Sequence, residues 1–238
     1  MELLNTEKKN IIQQTYSSNN SNNNKDKKKK NRNNDNQIGR TMCLLLRHQA
    51  KEFNLDMDKL GFVKINDLFK CKPLIKFKLT RERLDEIVKE DEKGRYEIKD
   101  DLIRCVQGHS IKINPEDTLE ALTINDIFDF PVVVHGTYYE GWKFIKETGL
   151  NRMTRTCVHF AIGYINDKDV ISGMRTSCEV YVEINMLTVF FNDIKLYKSK
   201  NNVILCPGKE DGAIPSKYFK IVTDKNKECL FNPRYLVS

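Results

Sequence analysis

The stretch PVVVHGTYYEGWKFIKETGL, residues 131–150, decides how the rest of the chain is read. Pro131 to Val134 is an apolar run of strand length. His135, Gly136 and Thr137 follow it, and Thr137 with Glu140 spells a T-x-x-E capping box, so a helix is expected from Thr137 to a stop at Gly149. A glycine at such a junction lets a ligand approach the backbone closely. A helix start adds unpaired N–H groups suited to anions or amide oxygens. So short a motif is frequent by chance, and it gains weight only from the order strand, His-Gly-Thr, helix.

Working outward, Cys157–Ala161, Cys178–Ile184, Lys195–Tyr197, Val203–Cys206 and Tyr218–Val222 are strand-like, several with period-two alternation. Strands that do not alternate regularly with helices argue against a doubly wound sheet, and the absence of G-x-G-x-x-G argues against a Rossmann-type dinucleotide site. Before Asn114 the character differs. Ile38, Met42, Leu45, Leu46, Ala50 and Phe53 recur at helical spacing, and order is expected to begin near Gln37. Thr80 reads as the N-cap of a second helix that runs to about Glu90, with Leu79 and Leu84 as a hydrophobic staple. A turn at 91–94 then leads into a hairpin of Arg95–Ile98 and Leu102–Val106. Helices followed by a small hairpin suggest a winged-helix-like lobe over residues 37–115, followed by a mainly sheet lobe over 116–238. The fold class is therefore α+β.

The net charge is +7, but residues 1–36 hold eight Lys/Arg against four Asp/Glu, which leaves only +3 for the remainder. That first segment is Asn/Lys-rich and, from Ser17 on, has nothing to bury. It is expected to be disordered, either as a plain solvated extension or as a loose grip on RNA phosphates or a nuclear address. No run of apolar residues is long enough to span a membrane and no secretory signal opens the chain, so an intracellular address in cytoplasm or nucleus is expected. Seven cysteines, with no C-x-x-C pair, and four scattered histidines exclude a recognisable disulfide framework or zinc site; no metal is expected.

Several polar residues stand where chemistry is possible. Arg47 and His48 end the apolar run Leu44–Leu46, and they read either as a surface pair or as the flank of a cleft. Strand alternation puts Arg104 on the face of Leu102 and Val106, an odd place for a guanidinium unless that face meets an anion or a carboxylate, or its head reaches water. Gln107–Ser110 closes that strand as a polar, Gly-containing loop. Arg155 precedes the strand carrying His159, which should point away from Val158 and Phe160. Ser172-Gly173-Met174-Arg175 is another Gly-containing loop before a strand. Each of these has an ordinary structural explanation. Against all of those explanations together stands the fact that every histidine of the chain, 48, 109, 135 and 159, falls in one of these segments.

In this order the segments LLLRH (44–48), GFVKINDLF (61–69), IRCVQGHS (103–110), VVHGTYYEGWKFIKETGL (133–150), RMTRTCVHFA (152–161), SGMRTSCEVYVEIN (172–185) and NNVILCPGKEDGAIPSKYF (201–219) resemble the NAD-dependent RNA (tRNA) 2′-phosphotransferase family. The resemblance implies a winged-helix-like lobe followed by an antiparallel, ADP-ribosyltransferase-like lobe that holds NAD+ as co-substrate. It implies transfer of an internal RNA 2′-phosphate, with spliced tRNA the expected partner, to NAD+. An ADP-ribosylated RNA phosphate forms first; RNA 2′-OH, nicotinamide and ADP-ribose 1″,2″-cyclic phosphate are the products. The family's catalytic tetrad maps onto Arg47, His48, Arg104 and Arg155. Guanidiniums suit a phosphate dianion through forked, charge-assisted hydrogen bonds, and an imidazole suits proton transfer near neutrality. His135, Gly136, Thr137 and His159, with Ser110, Ser172 and Arg175, are the implied NAD+ contacts. Gln49 and Cys157 depart from the family pattern. The alternatives are an ADP-ribosyltransferase that caps nucleic-acid phosphates, and a non-catalytic RNA-binding module.

Overall fold

The computed structural model describes residues 33–233 except 166, 168, 169 and 171, so most of the tail lies outside the described residues. The chain divides into two units, residues 1–42 and 43–238. In the first, residues 33–42 are helical (α1), already in place four residues ahead of Gln37. The second begins with two helical residues, and the chain then widens into a π-helical turn at Leu45–Gln49 and leaves the helix at Ala50. The expected continuous helix to Phe53 is thus cut short after Gln49. Single π turns of this kind are frequent at functional positions because they release backbone groups for other partners.

Next come β1 (Val63–Lys64), α2 (Ile65–Phe69), α3 (Lys72–Ile75), α4 (Arg81–Lys89), β2 (Tyr96–Lys99) and β3 (Leu102–Cys105). The Thr80 side chain caps α4 by accepting from Arg83 N–H, and Leu84 and Ile87 supply its buried stripe, as the spacing predicts. β2 and β3 form the expected hairpin, and β1 adds on the far side of β3 to give a three-stranded antiparallel sheet in the order β1-β3-β2.

The remainder contains α5 (Pro115–Thr118), β4 (Glu120–Ala121), α6 (Ile124–Phe128), β5 (Val134–Thr137), α7 (Tyr139–Thr148), β6 (Leu150–Asn151), β7 (Val158–Phe160), β8 (Val180–Ile184), α8 (Met186–Phe190), β9 (Tyr197–Lys198), β10 (Ile204–Cys206), β11 (Ala213–Ile214), β12 (Phe219–Asp224) and β13 (Cys229–Phe231). Two four-stranded antiparallel sheets, β4-β9-β10-β7 and β13-β12-β8-β5, carry it. Val134 and Ala161 exchange backbone hydrogen bonds of 2.9 and 2.8 Å, which joins the edge strand of one sheet to the end of the edge strand of the other. The core is built from both sheets, with Val158, Phe160, Val180, Val182, Ile204 and Val222 among its fully buried members.

The His-Gly-Thr segment requires a correction. It is not a loop opening a helix: His135, Gly136 and Thr137 lie inside β5, paired with Val182, Tyr181 and Val180. The nonlocal ladder to β8 keeps Thr137 extended, so the capping box does not form. α7 starts two residues later behind Tyr138, and its first amide, Tyr139 N–H, donates to Glu179 Oε2 at 3.2 Å. Gly149 does end the helix, with φ +81°.

Candidate functional site

Arg47 and His48 sit on the π turn, and the loop after β3 is fastened to them. The Arg47 carbonyl accepts the amides of Ser110 (3.0 Å) and Ile111 (3.3 Å), and His48 Nδ1 lies 2.9 Å from Ser110 Oγ. Gly108 makes this fit possible. It has φ +92°, and a Cβ there would stand 3.3 Å from Arg47 Cζ and Nε, so the guanidinium lies against the bare backbone of the loop. The same loop reaches the next segment through Thr156 N–H, which donates to the His109 carbonyl at 3.0 Å and brings Arg155 alongside.

At the junction of the two sheets His135 Nδ1 is 2.9 Å from the His159 carbonyl. A carbonyl only accepts, so Nδ1 carries the proton and the neutral ring presents Nε2 as an acceptor. Gly136 is a glycine because of packing: a Cβ would fall 2.7 Å from Cys178 Sγ and 3.1 Å from Met174 Cβ, which presses the loop at 172–178 onto β5. Gly173 is pressed the same way onto the backbone of Phe160 and Ala161. Ser172 is half-buried beside it, whereas Arg175 is exposed and within electrostatic reach of Arg155 and Tyr138. Thr137 Oγ1 points back at Gly141, where a Cβ would be 2.6 Å away.

The electrostatics join these pieces. Desolvation, then the charges of Arg155 and Arg47, hold the His48 imidazole below its usual range. Burial, then Arg47, Arg104 and His48, push His109 down to about 3. Burial, then Arg155 and Arg47, hold His159 well below the usual imidazole range. His135 is lowered by burial, which outweighs its hydrogen bond to the His159 carbonyl, with Arg155 adding to the effect. All four histidines of the chain therefore lie within the field of Arg47 or Arg155. Arg155 is solvent-exposed, and partial desolvation and the charges of Arg47 and Arg175 lower it. Among the described residues neither Arg47 nor Arg155 has a carboxylate partner, although Arg81, Arg95 and Arg104 each have one. Three buried nitrogens are left without a hydrogen bond among the described residues, and all belong to this cluster: Arg47 Nε, His109 Nε2 and His159 Nε2. Two arginines without a carboxylate partner beside buried, uncharged imidazoles suit an anion, because Arg47 Nε has an N–H left to donate and an imidazole nitrogen that carries its proton can donate as well.

Arg104 joins the cluster through His109 but is held by protein groups. Its Nε and one terminal nitrogen each lie 2.7 Å from Glu97 Oε2, the other terminal nitrogen donates to Leu60 O at 2.8 Å, and the guanidinium lies 4.7 Å over the Phe62 ring. Of the expectations for its strand face, a carboxylate is the one found. N–H groups on both terminal nitrogens stay uncommitted, enough for an end-on contact with a phosphate. Glu97 is a residue that inspection of the motifs passes over, yet the hairpin register pairs it directly with Arg104. Cys157 is buried among Tyr197, Val203 and Leu205. Among the described residues no group of three or more His, Cys, Asp or Glu side chains is arranged to hold a metal, and no helix is long and apolar enough to cross a membrane.

The α+β scaffold thus brings Arg47, His48, His109 and Arg155 together in one arginine–histidine cluster. Residues 33–208 match the family model described as RNA 2′-phosphotransferase, Tpt1 / KptA family. The chain is 36% identical over 192 residues to a tRNA 2′-phosphotransferase 1 of Bos taurus, covering 78% of this chain and 74% of that one. It is 33% identical over 192 residues to a protein of the same name from Danio rerio (78% and 84%), and 35% identical over 180 residues to a tRNA 2′-phosphotransferase of Saccharomyces cerevisiae (72% and 78%). The chain belongs to the RNA 2′-phosphotransferase family, and it is an enzyme, a transferase of RNA processing.

Proposed function

We propose that this enzyme removes the internal 2′-phosphate of RNA, with spliced tRNA as substrate, by passing it to NAD+. The observation that supports this reading is the meeting of Arg47, His48 and Arg155 beside the buried imidazoles of His109 and His159, with no carboxylate partner for Arg47 or Arg155 among the described residues. A 2′-phosphate dianion there gains forked hydrogen bonds from Arg47 and Arg155 and an end-on contact from Arg104, and these hold it in one orientation and offset charge in the transfer. His48 takes a proton from a ribose hydroxyl or donates one to a phosphate oxygen.

NAD+ supplies the acceptor ribose and nicotinamide as the leaving group, giving ADP-ribose 1″,2″-cyclic phosphate beside RNA 2′-OH. The residues at the sheet junction fit it. His135 Nε2 and His159 Nε2 are uncharged acceptors or donors for ribose and carboxamide groups, and His159 Nε2 is buried with nothing bonded to it. Arg175 suits the pyrophosphate, and the backbone of His135–Thr137 lines the same edge. Residues 37–115 would form the winged-helix-like lobe that meets RNA, and residues 116–238 the ADP-ribosyltransferase-like lobe.

The test incubates the protein with NAD+ and a short RNA bearing one internal 2′-phosphate and separates the products. Cyclic-phosphate release with RNA 2′-OH is expected. Accumulated ADP-ribosylated RNA would instead indicate a transferase that stops after one step, and no NAD+ consumption would sink the proposal.

A further inference from the structure

Ser110 stands apart from the other implied NAD+ contacts. Its hydroxyl is 2.9 Å from His48 Nδ1, and its amide is one of the two that the Arg47 carbonyl accepts, at 3.0 Å. One residue thus grips both members of the Arg-His pair, one through the backbone and one through the ring. The Arg47 carbonyl lies within the π turn at Leu45–Gln49 and accepts the loop amides, while Gly108 lets the loop lie flat on the Arg47 side chain. From these contacts we infer that Ser110 is a positioning residue that fixes the ring orientation and tautomer of His48, and not a contact of the dinucleotide. This inference rests on the proposed function for its meaning in catalysis; the contact itself does not.

The chemistry is that of a neutral support. A hydroxyl can donate or accept, and the arrangement inferred for catalysis has Ser110 Oγ accepting from Nδ1–H, which leaves the lone pair on Nε2, the atom that takes a proton from a ribose hydroxyl. When Nε2 is protonated, Nδ1–H still donates to the same oxygen, so the proton enters and leaves at Nε2 without the ring turning. A carboxylate in this position would add attraction for the imidazolium. A hydroxyl orients the ring while leaving its charge to desolvation and to Arg155 and Arg47, all of which oppose protonation.

The experiment uses Ser110→Ala and Ser110→Thr in the full chain, with steady-state kinetics and nitrogen NMR of the histidine rings. Ser110→Ala keeps the backbone bond to Arg47 and should fold as wild type. It should lower kcat about tenfold, the equivalent of one ordinary hydrogen bond, with KM for NAD+ changed less than about twofold. In wild type the neutral His48 ring should be protonated at Nδ1, in Ser110→Ala chiefly at Nε2, and Ser110→Thr should restore both rate and tautomer. A raised KM for NAD+ at unchanged kcat would make Ser110 a ligand contact and overturn the inference, as would an unchanged tautomer in Ser110→Ala. If the wild type transfers no phosphate, the proposed function fails while the tautomer measurement still decides the positioning claim.

Discussion

Replacing Glu97 by alanine leaves a nearly buried guanidinium without its counter-charge. The Arg104 side chain is 8% exposed and that of Glu97 21%, and the two charge-assisted bonds between them are both 2.7 Å. Removing one partner of a fully buried pair costs about 3–5 kcal/mol. The partial exposure of Glu97 lowers that to about 3 kcal/mol, because water can enter and solvate Arg104 once the carboxylate is gone. For a folded region of this size the melting temperature should fall by about 6–12 °C. The pH dependence has a definite sign. Burial pushes the Glu97 carboxyl up, but hydrogen bonds from Lys200 and Arg104 outweigh it, and the net result lies below the usual carboxylate range. A lowered carboxylate stabilises fully above its unfolded value of about 4.3, and the contribution is lost as pH falls through the folded value below that. Denaturant melts of wild type and Glu97→Ala at pH 7 and at acid pH are the assay. A loss below about 1 kcal/mol at pH 7, or a loss that does not shrink in acid, would refute the reasoning.

Gly108→Ala forces a side chain into φ +92° and against Arg47, so it should cost about 1–3 kcal/mol in stability and about 100-fold in kcat/KM; kinetics and melting near wild type would show that the loop does not seat Arg47. Gly136→Ala meets Cys178 Sγ at 2.7 Å within a strand, and overpacking should cost about 1–3 kcal/mol, read as a lowered denaturation midpoint, with an unchanged midpoint as the contrary result. The His48 ring should titrate below the free imidazole value, and Arg155→Gln should move it upward by removing a neighbouring positive charge; a titration that Arg155→Gln leaves in place would separate the two residues.

Local signals in the sequence served where local physics decides structure. Thr80 caps α4, Leu84 and Ile87 form its buried stripe, Gly149 stops α7, and the segments read as a hairpin, Arg95–Ile98 and Leu102–Val106, pair as β2 and β3. They failed where partners distant in the chain decide. Thr137 and Glu140 satisfy a capping pattern, yet the ladder to Val180 holds Thr137 in β5. The two-residue strands at Glu120–Ala121, Leu150–Asn151 and Ala213–Ile214 carry no periodicity of their own and exist only through their pairing. The π turn at Leu45–Gln49 is invisible in a helical repeat. The four histidines give a partial signal for the site, since all lie in motif segments, but the meeting of Arg47, His48 and Arg155 depends on Gly108 and Thr156 fastening three segments together, and no single segment reveals that.

In the proposed site Arg47, Arg104 and Arg155 surround one phosphorus with His48 beside it. A crystal structure of the protein with a short RNA carrying an internal 2′-phosphate tests it most directly. Phosphate oxygens are expected at about 2.7–2.9 Å from nitrogens of all three guanidiniums, with His48 Nε2 facing the same group. A 2′-phosphate seated elsewhere, or one that touches none of these arginines, would contradict it.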